Sequence, residues 1–177
     1  SGYFDGNGKT ITGVNVEGES YLGMFAVLHN ATVKNLTIEG NVNGTKGTNG
    51  LLAGQIQSGT TVENVTTKGS VVGVGTDIGG LIGSSFRNGD GEIVIKNCVN
   101  YANVSVTAAS AGSVSATGGI LGATAAGCET YVTDSKNYGK VSTNATFGGG
   151  IVGLLRVVSG NEKSKVTGCF NFGDVSA

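Results

Sequence analysis

The sequence predicts an all-β fold, a right-handed parallel β-helix (β-solenoid) of about five to six coils with loop inserts. Three observations lead there. An eight-residue pattern returns six times: aliphatic, any residue, Gly/Asn/Asp, small apolar or Ser, any residue, a variable residue, any residue, small residue. A second block, Gly followed by two apolar residues and a small one, returns five times. Helical periodicity is nearly absent. A repeat of this kind is one supersecondary unit per copy, stacked so that neighbours bury each other's apolar edges. Right-handed winding is the expected hand of a parallel crossover.

The copies of the first pattern begin at Ile11, Val33, Val62, Ile95, Val132 and Val166. Their third position holds Gly13, Asn35, Asn64, Asn97, Asp134 and Gly168, the residue types that tolerate left-handed backbone dihedrals. That predicts a bend at which side-chain alternation changes phase. Beyond it, alternation by two runs through Leu36, Ile38, Gly40 and Val42, and again through Val65, Thr67, Gly69 and Val71, as in a one-faced strand. The eighth position (Gly18, Gly40, Gly69, Ala102, Gly139, Gly173) reads as a corner with almost no room for a side chain. Two residues later Val42, Val71, Val104, Val141 and Val175 form a further inward column.

The second block starts at Gly23, Gly50, Gly80, Gly119 and Gly150. Its adjacent apolar residues would point to opposite faces of a straight strand. One column must therefore face outward, lie under an insert, or be turned inward by another bend, and the flanking glycines favour the bend. Successive copies of the first pattern start 22, 29, 33, 37 and 34 residues apart. A coil of three short strands needs on the order of 20–25 residues. The first interval then reads as bare, and the later ones as carrying inserts at 84–92, 105–117, 123–131 and 154–165.

Composition excludes several classes. The chain has 33 Gly in 177 residues without the strict G-X-Y period of collagen, and recurring Val, Ile and Leu at matched positions argue against disorder. Net charge is −1 and no Lys/Arg cluster exists, so the electrostatic footprint of a nucleic-acid partner is missing. No apolar run is long enough for membrane insertion. Residues 1–177 read as a single β-solenoid domain and a fragment of a longer protein, with adjoining domains expected.

Catalytic chemistry has little to stand on. His29 is the one histidine, and no nucleophile elbow or Walker motif appears. A glycosidase-type carboxylate pair would have to come from side chains such as Asp77, Asp90 or Glu92 on inserts, with Arg87 and Arg156, the two arginines, nearby. The expectation is no enzyme, no catalytic residues, no cofactor and no metal site. Asp5-Gly6-Asn7-Gly8 resembles part of a calcium loop but lacks its distant Glu and reads as a tight turn. Cys98 and Cys169 share one slot two coils apart, roughly 9–10 Å, beyond the ~7 Å limit for a disulfide. Cys128 has no obvious partner, so no disulfide is expected. The sequons at Asn30, Asn35, Asn43, Asn64, Asn103 and Asn144 carry no inference of glycosylation.

In-register stacking would set like positions above one another. Lys34, Glu63 and Lys96 then form a charge ladder, and Asn100, Asn137 and Asn171 a ladder of amides. Beside these stands an aromatic column, Tyr101, Tyr138 and Phe172, the candidate ligand-binding residues. Its rings either stack against sugars or stack on one another to shield a corner. An ice-binding face would need a long threonine ladder, and the column Asn15, Thr37, Thr66, Val99, Lys136, Phe170 breaks too soon.

The blocks Gly80-Leu81-Ile82-Gly83, Gly119-Ile120-Leu121-Gly122 and Gly150-Ile151-Val152-Gly153 resemble the GLUG-motif repeats of bacterial surface proteins. So do the stretches Asn97–Ala102 and Gly168–Gly173 and the opening Phe4–Ile11, while Gly23–Ala26 and Gly50–Ala53 depart at the final Gly. Such repeats occur in adhesin-like proteins and beside the protease domain of bacterial enzymes that cleave immunoglobulin A. The resemblance implies a secreted or bacterial cell-surface location and a stalk or binding role. It carries over no catalytic residue. The expected function is a non-enzymatic adhesin-like module, a stalk or ligand-binding scaffold whose partner is a host or cell-surface protein or glycan. The alternatives are a carbohydrate-active β-helix, lyase or hydrolase, and an accessory repeat region of a secreted bacterial protease.

Overall fold

The computed structural model describes residues 1–109, 115–156 and 163–176. Parts of the inserts expected at 105–117 and 154–165 therefore lie outside the described residues. The chain winds into an all-β parallel solenoid of about five turns built on three sheets of twelve, four and five strands, the first turn reaching the four-stranded sheet only through a bridge from Leu22 to Asn49. Every strand pair is parallel. Val33, Val62, Ile95, Val132 and Val166 stack in register, each paired with the next. The column Val42, Val71, Val104, Val141, Val175 does the same and begins one layer earlier, at Val16.

The largest sheet is built from long kinked strands. Gly2–Gly18, Ala31–Gly44 and Thr61–Gly75 run unbroken through the bend. Later layers divide the same path into shorter pieces, such as Ile93–Lys96, Val99–Asn100 and Asn103–Ala109. The bend sits where the sequence places it. Asn35, Asn64, Asn97, Asp134 and Gly168 have φ of 55°, 52°, 53°, 50° and 63°. Asn and Asp tolerate the left-handed region because their short polar side chains bond locally. Here they bond to each other: Asn64 Nδ2 donates to Asn35 Oδ1, and Asn35 Nδ2 to Asp5 Oδ1, each at 3.1 Å. The eighth-position corner is small for a steric reason. A Cβ on Gly40, Gly69, Gly139 or Gly173 would overlap the carbonyl oxygen of the residue stacked beneath it.

The first layer corrects the expected register. Phe4, and not Ile11, pairs with Val33; Ile11 pairs with Ile38, Thr10 with Thr37 and Val16 with Val42. Two irregularities cause the shift. Gly6-Asn7-Gly8 bulges out of the Gly2–Gly18 strand opposite the single residue Asn35, and Gly13 is extruded between Thr12 and Val14. Asp5–Gly8 is thus a bulge inside a strand, closed by Asn7 N–H donating to Asp5 Oδ1 at 2.9 Å, and not a turn between strands. The first two turns are equally long, and neither is bare. The coil exceeds the expected length because it adds two further strand segments to the three-part kinked one. Parts of the expected inserts are strand: Ser84–Phe86 and Ala123–Thr124 belong to the five-stranded sheet, and Thr130–Tyr131 to the twelve-stranded one.

The second block turns both apolar columns inward. Leu51, Leu52, Leu81, Ile82, Ile120 and Leu121 are all fully buried. The four-stranded sheet ends at Gly79, Gly118 and Gly149, and the five-stranded sheet resumes at Ile82, Leu121 and Val152. Between them the backbone bends sharply enough to point consecutive side chains into one core. Each such Leu or Ile contributes about 1.5–3 kcal/mol by burial. Gly119→Ala should unfold at markedly lower temperature, by several kcal/mol of stability, because its Cβ would strike the Gly150 carbonyl and the Asn137 amide. Gly2→Ala, with open space around its Cβ, should leave thermal unfolding unchanged.

Candidate functional site: an aromatic rib over an amide ladder

The candidate residues Tyr101, Tyr138 and Phe172 lie just beyond short strands of three successive layers. The pairs Val99–Asn100, Lys136–Asn137 and Phe170–Asn171 stack in register and place the next residue of each outward. Tyr101 and Tyr138 have ring centroids 4.9 Å apart at 9°, and Tyr138 and Phe172 4.9 Å at 11°. Phe170 flanks Phe172 at 6.2 Å. The layer spacing itself sets the ring spacing. Exposures of 49%, 40%, 61% and 56% for Tyr101, Tyr138, Phe172 and Phe170 make a contiguous apolar rib. Ring faces are occupied by neighbouring rings, so the rib offers edges and two hydroxyls to a ligand. Face stacking on a sugar is confined to the ends of the rib.

Beneath the rib runs the amide ladder. Asn100 and Asn137 are fully buried, and each satisfies its neighbours. Asn100 Nδ2 donates to Asn137 Oδ1, and Asn137 Nδ2 to Asn171 Oδ1, both at 2.8 Å. Thr67 Oγ1 starts the series by donating to Asn100 Oδ1 at 2.7 Å. The column continues through Ile38 to Ile11, not Val16 as the motif alignment expects. The glycine block and this ladder are coupled, which the sequence reading treats as two separate motifs. A Cβ on Gly80, Gly119 or Gly150 would overlap the side chain of Asn100, Asn137 or Asn171 respectively. The signal was a glycine block standing one turn before each asparagine of the ladder, obscured by unequal insert lengths.

The charge ladder extends one layer further than the sequence suggests. Asp5 pairs with Lys34 at 3.6 Å, and Glu63 with Lys96 at 3.2 Å. The Asn7 backbone N–H, then the Asn35 amide and Lys34, hold the Asp5 carboxyl below the usual range. Threonines stack three deep, the exposed Thr10 and the half-buried Thr37 and Thr66, before Val99 interrupts them. Cys98, Cys128 and Cys169 are free thiols. Burial pushes the Cys98 thiol up to about 12.

The acidic candidates separate. Asp77 lies on the strand Asp77–Gly79 and not on an insert. Asp90 and Glu92 line a recess of about 130 Å³ with Arg87 and Glu129, in which Arg87 pairs with Asp90 at 3.8 Å. His29 lines a second, largely apolar recess of about 320 Å³ beside Tyr3, Phe4 and Phe25, and its Nε2 lies 3.0 Å from Asn30 Nδ2. Among the described residues no group of three His, Cys, Asp or Glu is placed to hold a metal ion, and no helix is long and apolar enough to cross a membrane.

Fold and rib together define a β-solenoid scaffold. The chain matches no family model, no curated protein and no solved structure.

Two outcomes follow from these side chains. Asn137→Leu removes the acceptor of the Asn100 outward amide hydrogen and the side-chain donor to the buried Gly139 carbonyl. Equilibrium unfolding should register a loss of about 2–4 kcal/mol. Asp77 carries a carboxyl raised to about 6 by desolvation, opposed by Arg156 and an Ala116 backbone hydrogen bond. A carboxyl raised on folding favours the folded state while protonated. That contribution is present below the unfolded value and lost as pH rises through about 6. Asp77→Asn should therefore exceed the parent in stability at pH 7.5, by up to about 3 kcal/mol, with the difference vanishing near pH 3.5 in paired denaturant titrations.

Proposed function

We propose that this chain is a non-enzymatic, adhesin-like module, secreted or displayed on a bacterial cell surface, that serves as a rigid scaffold for binding a host or cell-surface protein or glycan. The observation that carries this reading is the aromatic rib: half-exposed, contiguous, and fixed on a backbone whose layers are locked by buried amides. Contiguous exposed apolar surface marks interaction sites. Presenting it on a rigid stack removes ordering cost from binding. The GLUG-like blocks support the same location and role, and also suit an accessory repeat region beside a secreted protease domain.

One observation favours the rival reading, a carbohydrate-active lyase or hydrolase. Arg87, Asp90, Glu92 and Glu129 converge on one recess, which supplies acidic groups and a cation in a single place. Glycan and surface-protein arrays, run beside a polysaccharide turnover assay, separate the two. The scaffold reading expects a bound ligand whose affinity falls at least tenfold in Tyr138→Ala, with no turnover. Turnover abolished by Asp90→Asn, with Tyr138→Ala indifferent, would sink it.

A further inference from the structure

The middle of the rib stands between two lysines that lack the partner others have. Lys68 is answered by Glu39 of the neighbouring layer, Lys96 by Glu63 and Lys163 by Glu129. No described carboxylate forms an ion pair with Lys136 or Lys140. Their layer has a paired layer on each side. Lys136 is stacked between Val99 and Phe170, which carry no charge. Lys140 is stacked between Asn103 and Asp174, next to the paired column Val104, Val141, Val175. Burial alternates along the strand path: Lys136, Tyr138 and Lys140 are exposed, while Asn137, Gly139 and Val141 are buried. Both ammonium groups therefore share the outward face of Tyr138, one on each side of it.

What else this face offers has the same sign. An aromatic ring is negative on its face and positive at its edge. Stacking hides both faces of Tyr138, so the part left to a ligand is the positive edge. The hydroxyls of Tyr101 and Tyr138 can donate. Asn103 Oδ1 accepts the Lys140 backbone N–H at 3.0 Å, which leaves that amide its donors. Ammonium, hydroxyl, amide and ring edge all suit an anion that accepts hydrogen bonds.

We infer that the ligand of the rib is an acidic glycan, a sugar chain bearing carboxylates, held across Tyr101 and Tyr138 with its charge on Lys136 and Lys140. The inference rests on the scaffold reading above and names the chemistry of its ligand. The backbone excludes strand addition, because this layer is closed on both sides. Lys136 and Tyr138 N–H donate to Cys98 O and Asn100 O, and Phe170 and Phe172 N–H donate to Ser135 O and Asn137 O. A partner must then be held by side chains alone. A peptide brings one backbone N–H per residue and would meet mostly donors here. Hydroxyls accept as well as donate, so a carboxylated sugar chain is matched to such a surface.

The test measures binding to immobilised hyaluronan, alginate, oligogalacturonate and polysialic acid, each beside its methyl ester, with poly-glutamate as the acidic peptide. At least one acidic glycan should bind, more weakly as salt rises, and its ester about tenfold more weakly or worse. Lys136→Gln combined with Lys140→Gln should lose the same factor, whereas Lys136→Arg with Lys140→Arg should retain binding. Lys9→Gln with Lys46→Gln, which removes equal charge elsewhere, should change nothing. Ester and acid bound equally, indifference to Lys136 and Lys140, or poly-glutamate bound as tightly as the best glycan overturns the inference. A neutral glycan whose binding is lost in Tyr138→Ala but not in the lysine variants overturns it too, and leaves the scaffold reading standing. Absence of any Tyr138-dependent ligand removes both.

Discussion

A parallel, in-register stack makes every side chain a neighbour of its own counterparts, one strand spacing of about 4.8 Å above and below. That constraint decides which residues each column accepts. Aliphatic columns are satisfied by contact alone, as in Val33, Val62, Ile95 and Val132. Charges must alternate in sign, as Asp5, Lys34, Glu63 and Lys96 do. A buried polar column is admissible only if the residue is both donor and acceptor toward its copy, because an unpaired buried group costs about 1–3 kcal/mol. Asparagine meets that condition, and Asn100 and Asn137 use it.

The same constraint explains what was legible. Columns with one residue type in several layers could be aligned from the sequence, so the Val42–Val175 column, the bend at Asn35 and its equivalents, and the stacking of Tyr101, Tyr138 and Phe172 all stand where expected. The first layer was misaligned because Gly6-Asn7-Gly8 and Gly13 add residues inside a strand. A bulge breaks the count without breaking the pairing, and Ile11-Thr12-Gly13 mimics the start of a repeat. The choice among outward, covered and turned-in apolar columns needed the backbone. Only the path between Gly79 and Ile82 reveals that Leu81 and Ile82 face the same interior.

The candidate site was legible as a list of residues and not as a surface. Ring spacing follows from layer spacing, but ring orientation does not. The near-parallel stacking of Tyr138 between Tyr101 and Phe172 withdraws ring faces from solvent and changes what the rib can touch. The dependence of Gly119 on Asn137 was hidden because it links residues from different turns of the chain. Asp77 was misplaced for a related reason. Its strand is three residues long, too short for alternation to reveal.

One quiet substitution has a consequence for the environments this protein tolerates. Ser135 stands between Cys98 and Cys169 in a single column, its hydroxyl accepting the Cys98 N–H at 3.1 Å. A third cysteine there would bring sulfur atoms into adjacent layers, within crosslinking range. With serine in the middle, the column holds no disulfide for glutathione to cut. No disulfide among these cysteines holds the stack, so a reducing compartment removes none of its crosslinks.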